Sequence, residues 1–208
     1  MFFDFFTKEG KKKGYFLDLI SSINVGDIEE IKRLLRKDIS MSQRDVSGYN
    51  PLGVAVLMGE KEIIEILLDN GTFIDERNKG GETALHIAAA EDEDDNIEII
   101  ELLLQHRADI NALSEEQQTP IYLAIDSNRL ELVKYFVSKG AKLNIQDIDG
   151  WSPLHNAVFE KHKDIVEYLL ECNIDVNLKD LDGKTALDIV QDEFETDDEL
   201  KDIIALLS

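Results

Sequence analysis

Apolar residues recur along the chain in blocks that have the spacing of one helix face. In Ile63–Leu68, Leu132–Val137 and Ile165–Leu170 the apolar positions are i, i+1, i+4 and i+5, which lie together on one side of an α-helix. The residue type that follows most blocks tolerates the left-handed conformation that closes a helix. The pattern therefore predicts a series of amphipathic helices with defined ends. The closing residues are Gly71, Arg107, Gly140 and Asn173.

A second pattern precedes the blocks and predicts the start of a shorter helix. It consists of Asn, Ser or Thr, then Pro or Ala, then Leu or Ile. The first residue is a good N-cap because its side chain accepts a backbone N–H, and Pro at the next position pre-sets φ. Glycine two residues earlier is typical of a tight turn, except where Gln117 replaces it. The five copies begin at Asn50, Thr83, Thr119, Ser152 and Thr185, with spacings of 33, 36, 33 and 33 residues.

A fixed period of this length predicts stacked repeats rather than one central core. Each repeat is expected to contain a turn, a short helix, a second turn, a longer helix and a return loop. The spacing of 36 indicates three inserted residues within Glu91–Asp95. That acidic run is expected to be a solvated loop, although it suits a loosely held cation or a basic partner as well.

The repeated segments Thr83–Ala88 and Ser152–Ala157 resemble the T-P-L-H-x-A motif of the ankyrin repeat. The resemblance implies an all-α ankyrin-repeat solenoid of stacked helix-turn-helix units with β-turn or hairpin fingers. It also implies that His86 and His155 form structural hydrogen bonds between neighbouring repeats. The other repeats carry Gly53, Tyr122 and Asp188 at the motif histidine.

The period predicts one domain over residues 15–208, preceded by an apolar and basic segment over residues 1–14. The first repeat is degenerate, since its helix start at Phe16–Leu19 lacks the Pro motif. The last repeat is also atypical, as expected for an end with one neighbour. The predicted repeats span residues 15–44, 45–77, 78–113, 114–146, 147–179 and 180–208.

Four phenylalanines within the first six residues are unusual in such a charged chain. They either cover the exposed side of the first repeat or, with Lys11–Lys13 behind them, attach to a partner or a membrane surface. The first interpretation is favoured. The residues concerned are Phe2, Phe3, Phe5 and Phe6.

Charge narrows the classes of partner. The 208 residues carry a formal net charge of −22, which opposes binding to nucleic acid or to anionic membranes. No apolar run approaches the length of a membrane-spanning helix, and the N-terminus has the reverse order of a secretory signal. With a single cysteine there is no internal disulfide. We therefore expect a cytoplasmic monomer, with signal-independent export left open.

No set of acid, base and nucleophile points to an enzyme, and we expect no catalytic residue, no cofactor and no bound metal. Gly183-Lys184-Thr185 lacks the earlier glycine of a phosphate loop, since Leu178 stands there. The turns at Asp147 and Asp180 resemble calcium loops but lack the bidentate glutamate. His162 and Cys172 are too isolated for a zinc site.

The resemblance implies a concave binding surface made of the turn tips and the exposed side of the first helices. Two apolar clusters on this surface flank an acidic middle. Trp151 is the strongest candidate for an anchor, although it is equally able to pack simply on Phe159. The predicted partner-binding residues are Tyr49, Leu57, Met58, Glu82, Glu91, Glu116, Asp126, Ile148, Trp151, Phe159 and Leu181.

These features predict a non-enzymatic protein-interaction module whose partner carries a basic patch. Acidic side chains would speed the encounter with such a partner. One alternative is an inhibitor or immunity protein that blocks an enzyme or a toxin. Another is a bacterial effector that targets host proteins.

Overall fold

The computed structural model describes residues 8–90, 96–172, 174–193 and 201–207, with side chains described for 14–90, 97–172, 174–191 and 203–207. Within these ranges the chain forms twelve α-helices and no strand. The all-α prediction is therefore confirmed. The helices are α1 Lys8–Asn24, α2 Ile28–Leu35, α3 Pro51–Leu57, α4 Lys61–Asp69, α5 Ala84–Ala90, α6 Asn96–Gln105, α7 Pro120–Asp126, α8 Leu130–Ser138, α9 Pro153–Phe159, α10 Lys163–Glu171, α11 Ala186–Glu193 and α12 Lys201–Leu207.

The chain divides into two compact bodies. The N-terminal body is Met1–Asp109 and contains α1 to α6, and the C-terminal body is Ile110–Ser208 and contains α7 to α12. In the N-terminal body α3 packs against α1, α4 and α5. In the C-terminal body α9 packs against α7, α10 and α11. Within each body, therefore, the short helices of successive repeats lie side by side.

Small residues on the short helices allow this close packing. Ala55 of α3 and Ala88 of α5 are completely buried in the N-terminal body. Ala124 of α7 and Ala157 of α9 are completely buried in the C-terminal body. A larger side chain at any of these positions would force the neighbouring helices apart.

The turn that contains Gln117 has the same local geometry as the glycine turns. Gln117 adopts φ 57°, in the left-handed region occupied by Gly150 at φ 82° and Gly183 at φ 79°. The Gln117 N–H also donates to the Ser114 carbonyl at 3.1 Å. The repeat therefore keeps its turn at the cost of some backbone strain.

The first helix is longer than the sequence indicates. It begins at Lys8, so it contains Lys11–Lys13 as well as the expected Phe16–Leu19. Lysine is a good helix former, which makes this extension favourable. The second helix of this repeat begins at Ile28, where Asp27 Oδ1 accepts the Glu30 N–H at 3.0 Å.

Two features of the sequence lie outside the described residues. They are the phenylalanines of positions 2–6 and the acidic run Glu91–Asp95. None of the described helices combines the length and the apolar character that crossing a bilayer requires.

Candidate partner-binding surface

Each turn tip is organised by a polar side chain that accepts hydrogen bonds from its own turn. Asp147 Oδ1 accepts the N–H groups of Asp149 at 3.0 Å and Trp151 at 2.7 Å. Asp180 Oδ1 does the same for Asp182 and Lys184, at 3.0 and 2.8 Å. These carboxylates thus serve as Asx-turn acceptors, which gives them a structural role in place of a calcium loop.

Neighbouring turn tips of the C-terminal body are joined through their backbones. The Ile148 N–H donates to the Glu116 carbonyl at 2.9 Å, and the Leu181 N–H donates to the Asp149 carbonyl at 3.0 Å. Three successive tips are therefore held at fixed spacing. This ladder brings Glu116, Ile148 and Leu181 of the predicted surface onto one continuous edge.

Two of these tips present apolar side chains to solvent. Ile148 is 47% exposed and Leu181 is 77% exposed. Asp147 and Asp180 hold the backbone of each tip, so these side chains project from an ordered turn rather than from a loose loop. A pre-ordered apolar contact loses little entropy when a partner covers it.

Trp151 is half-buried, although its position in the repeat predicts greater exposure. Its ring packs edge-on against Phe159, with ring centroids 5.0 Å apart and an interplanar angle of 63°. The packing of the two rings on each other, raised as an alternative from sequence, is thus correct as geometry. Phe159 is also half-buried, so one side of the pair remains open to solvent.

Exposed carboxylates surround this apolar edge within the C-terminal body. Glu116 and Asp126, predicted from sequence, are both exposed. Asp126 lies at the end of α7, where its carbonyl is 3.3 Å from His162 Nε2. The other exposed acids on the tips and on the end of the first helix are Glu115, Asp149, Glu160 and Asp182.

The predicted residues of the N-terminal body form a less exposed group. Tyr49 and Leu57 are half-buried, and Met58 is exposed. Glu82 is half-buried, and its Oε2 accepts the Asn78 side-chain amide at 2.6 Å, so this carboxylate is already used within its own turn. Glu91 lies outside the described residues.

The motif histidine of the fifth repeat connects two repeats, as the family resemblance implies. His155 Nδ1 accepts the Ser152 N–H at 3.2 Å and lies 2.7 Å from the Ser152 hydroxyl. With Nδ1 accepting, the proton belongs on Nε2, which lies 3.2 Å from the Lys184 carbonyl of the next repeat. Burial lowers the pKa of His155, and this outweighs the Lys184 carbonyl and the nearby Asp180 and Asp147, which favour the charged ring.

We expect the protein to lose stability as the pH falls below about 6.5, the ordinary pKa of histidine. The folded pKa of His155 lies below that value, so the unfolded chain binds the extra proton first and unfolding is favoured as the pH decreases. The urea midpoint should therefore be lower at pH 5.5 than at pH 7.5. His155→Tyr should reduce this pH dependence, because tyrosine is the chain's own choice at position 122 and does not titrate there; an unchanged slope would contradict the assignment.

Tyr122 shows how the equivalent position works without histidine. Its hydroxyl donates to Asp147 Oδ2 at 2.9 Å, so it links the fourth repeat to the turn that carries Trp151. Burial, followed by the charge of Asp147, raises the pKa of Tyr122 well above its ordinary value. The phenol therefore stays neutral and keeps its role as a donor.

Two structural roles beneath this surface are not evident from the sequence pattern. The first is the acceptor role of the Asx-turn residues, whose positions Asp45, Asn78, Asp147 and Asp180 follow the same period as the helix starts. That spacing was the available signal. The second is Asn156, which is buried at 3% exposure and has an Nδ2 without a hydrogen-bond partner.

The chain matches a family described as ankyrin repeats (3 copies) over residues 19–114 and 95–180. Among curated proteins it is 31% identical over 111 residues to alpha-latrocrustotoxin-Lt1a of Latrodectus tredecimguttatus, covering 53% of this chain and 8% of the toxin. It is 34% identical over 106 residues to protein phosphatase 1 regulatory subunit 27 of Homo sapiens, covering 50% of this chain and 65% of that subunit. It is 30% identical over 104 residues to the human ankyrin repeat, SAM and basic leucine zipper domain-containing protein 1, covering 50% of this chain and 22% of that protein. The matches thus span less than two thirds of each relative.

Proposed function

Since the chain belongs to the ankyrin-repeat family, we propose that it is a non-enzymatic module that binds a protein partner through a basic patch of that partner. Ankyrin repeats are protein–protein interaction modules, which supports the general class. The observation that carries the proposal is the apolar edge of the C-terminal body, with Ile148 and Leu181 exposed on ordered turns. The exposed carboxylates around it favour a partner whose apolar contact is flanked by Lys or Arg.

The charge of the partner follows from the side chains that surround the apolar edge. Glu115 and Glu116 lie on one tip, and Asp149 and Asp182 lie on the next two. An acidic partner would place like charges opposite these groups, whereas a basic partner gains attraction that salt weakens. Protein capture should therefore fall steeply as ionic strength rises.

The proposal is tested by affinity capture from native lysate, followed by titration of the captured protein against purified chain. We expect Glu115→Lys with Glu116→Lys to weaken capture and to reduce its salt dependence. The double substitution Glu29→Lys with Glu62→Lys is the matched control, since both residues are exposed on the longer helices α2 and α4. If both pairs change the affinity equally, only net charge matters and the proposed surface is wrong.

A second candidate function is inhibition or regulation of the bound protein. The relative named as a regulatory subunit of protein phosphatase 1 favours it. The same experiment separates the two, because a captured enzyme can be assayed with and without the chain. Loss of that enzyme's activity on binding supports regulation, and unchanged activity supports a module that only binds.

A further inference from the structure

A cavity of about 430 Å³ lies in the N-terminal body between α1 and the first turn tip. Two of its lining side chains are apolar and exposed, Leu17 at 53% and Val46 completely. Phe16 beside them is buried. The lining residues are Phe16, Leu17, Gln43, Arg44, Asp45 and Val46.

The polar groups of the cavity show what an occupant must supply. Gln43 Oε1 is buried and has no hydrogen-bond partner, so it requires a donor. Arg44 cannot provide it, because its guanidinium donates to the Arg77 carbonyl at 2.6 and 3.0 Å. An occupant that fits brings apolar side chains together with a backbone N–H.

The chain has such a segment immediately before its first described helix. Phe2, Phe3, Phe5 and Phe6 precede Lys8, where α1 begins. Leu17 is nine residues after Lys8, which corresponds to about 14 Å along a helix. The six residues from 2 to 7 reach about 20 Å when extended. The segment is therefore long enough to run back along α1 to the cavity.

The position of the cavity also favours an occupant from the same chain. The first repeat has a neighbouring repeat on only one side, since α1 packs against α2 and α3. A terminal repeat needs a cover over its other side. The cavity and the exposed Leu17 belong to this terminal repeat.

We propose that residues 2–6 dock into this cavity. The phenyl rings cover Leu17 and Val46, and a backbone N–H of the segment donates to Gln43 Oε1. Docking stabilises the terminal repeat and covers the turn tip that carries Val46, in the same turn as Tyr49. The proposal goes beyond partner binding and does not depend on it.

The test is a thermodynamic cycle that combines deletion of residues 2–6 with Val46→Asp. Val46 is fully exposed, so without an occupant the aspartate costs almost nothing in either chain. With the segment docked, Val46→Asp in the full chain should lower the melting temperature by about 3 °C or more. In the deleted chain the same substitution should have no effect.

A matched control and a second variant keep the result decisive. Phe73→Asp changes an exposed apolar residue of the same body that does not line the cavity, and it should show no coupling to the deletion. Serine at the four phenylalanine positions replaces the deletion if the shortened chain fails to fold. Equal melting temperatures for Val46→Asp and its parent in the full chain would overturn the proposal. A coupling that grows with protein concentration would also overturn it, because the occupant would then come from a second copy.

Discussion

Replacing Trp151 and Phe159 together by alanine is expected to abolish partner capture while the protein remains folded. The two rings lie 5.0 Å apart and are each half-buried, so one side of the pair is free to be covered by a partner. A buried aromatic anchor contributes about 2 kcal/mol or more, which corresponds to at least a 30-fold loss of affinity. Titration of the captured partner against both proteins measures the loss.

The same substitution removes contacts inside the chain, so its effect on stability must be separated from its effect on binding. An edge-to-face pair contributes about 0.5–1.5 kcal/mol to folding beyond the area it buries. Ile165→Val is a suitable control, because Ile165 is completely buried in α10 and this truncation costs a similar 0.5–1.5 kcal/mol. The control should bind normally; if it binds as weakly as the double variant, the loss reflects stability and the anchor assignment fails.

Gly150→Ala should destabilise the protein far more than Gly183→Ala, although both residues are glycines at the same position of the turn. Both have left-handed φ angles, of 82° and 79°, which cost any other residue about 1–2 kcal/mol. A Cβ on Gly150 would lie 2.9 Å from the Leu181 nitrogen and 3.0 Å from the Asp180 Cα, whereas a Cβ on Gly183 meets nothing within 4 Å. Forcing the backbones apart adds about 1–3 kcal/mol at position 150 only.

Urea unfolding of the two variants measures this difference directly. Gly183→Ala serves as the control for the φ angle, so the additional loss in Gly150→Ala reports the close approach of the two turns. Partner capture should also weaken in Gly150→Ala, because the clash displaces the Asp149 carbonyl that holds the Leu181 tip at 3.0 Å. Equal urea midpoints for the two variants would show that the turns separate freely and that the ladder does not order the binding edge.

The helix starts of the fold were predictable because their signals are local. Asn50 Oδ1 accepts the Gly53 N–H at 2.8 Å, and Ser152 forms a reciprocal capping box with His155. These interactions span three residues, so the residue types alone indicate them. Local signals were weaker at α1, which lacks a Pro motif and begins earlier than the pattern suggests.

The candidate surface was predictable in position but not in burial. The phase of the repeat correctly indicates that Ile148, Leu181, Glu116 and Asp126 are exposed. It does not indicate that Trp151 is half-covered by Phe159, since the contact depends on side-chain rotation across eight residues. Nor does it indicate that Glu82 is held by Asn78.

By itself, the sequence determined the repeat, the caps of its helices and the positions of its turn tips, because these depend on contacts within a few residues. Only the tertiary structure decided how the tips are joined, since the Ile148–Glu116 and Leu181–Asp149 hydrogen bonds link residues 32 positions apart. It also decided that Gln117 adopts a left-handed conformation, which the hydrogen bonds of its turn and the neighbouring tip hold in place. Such pairings form only when successive repeats stack, because stacking brings each backbone donor to the acceptor of the next turn.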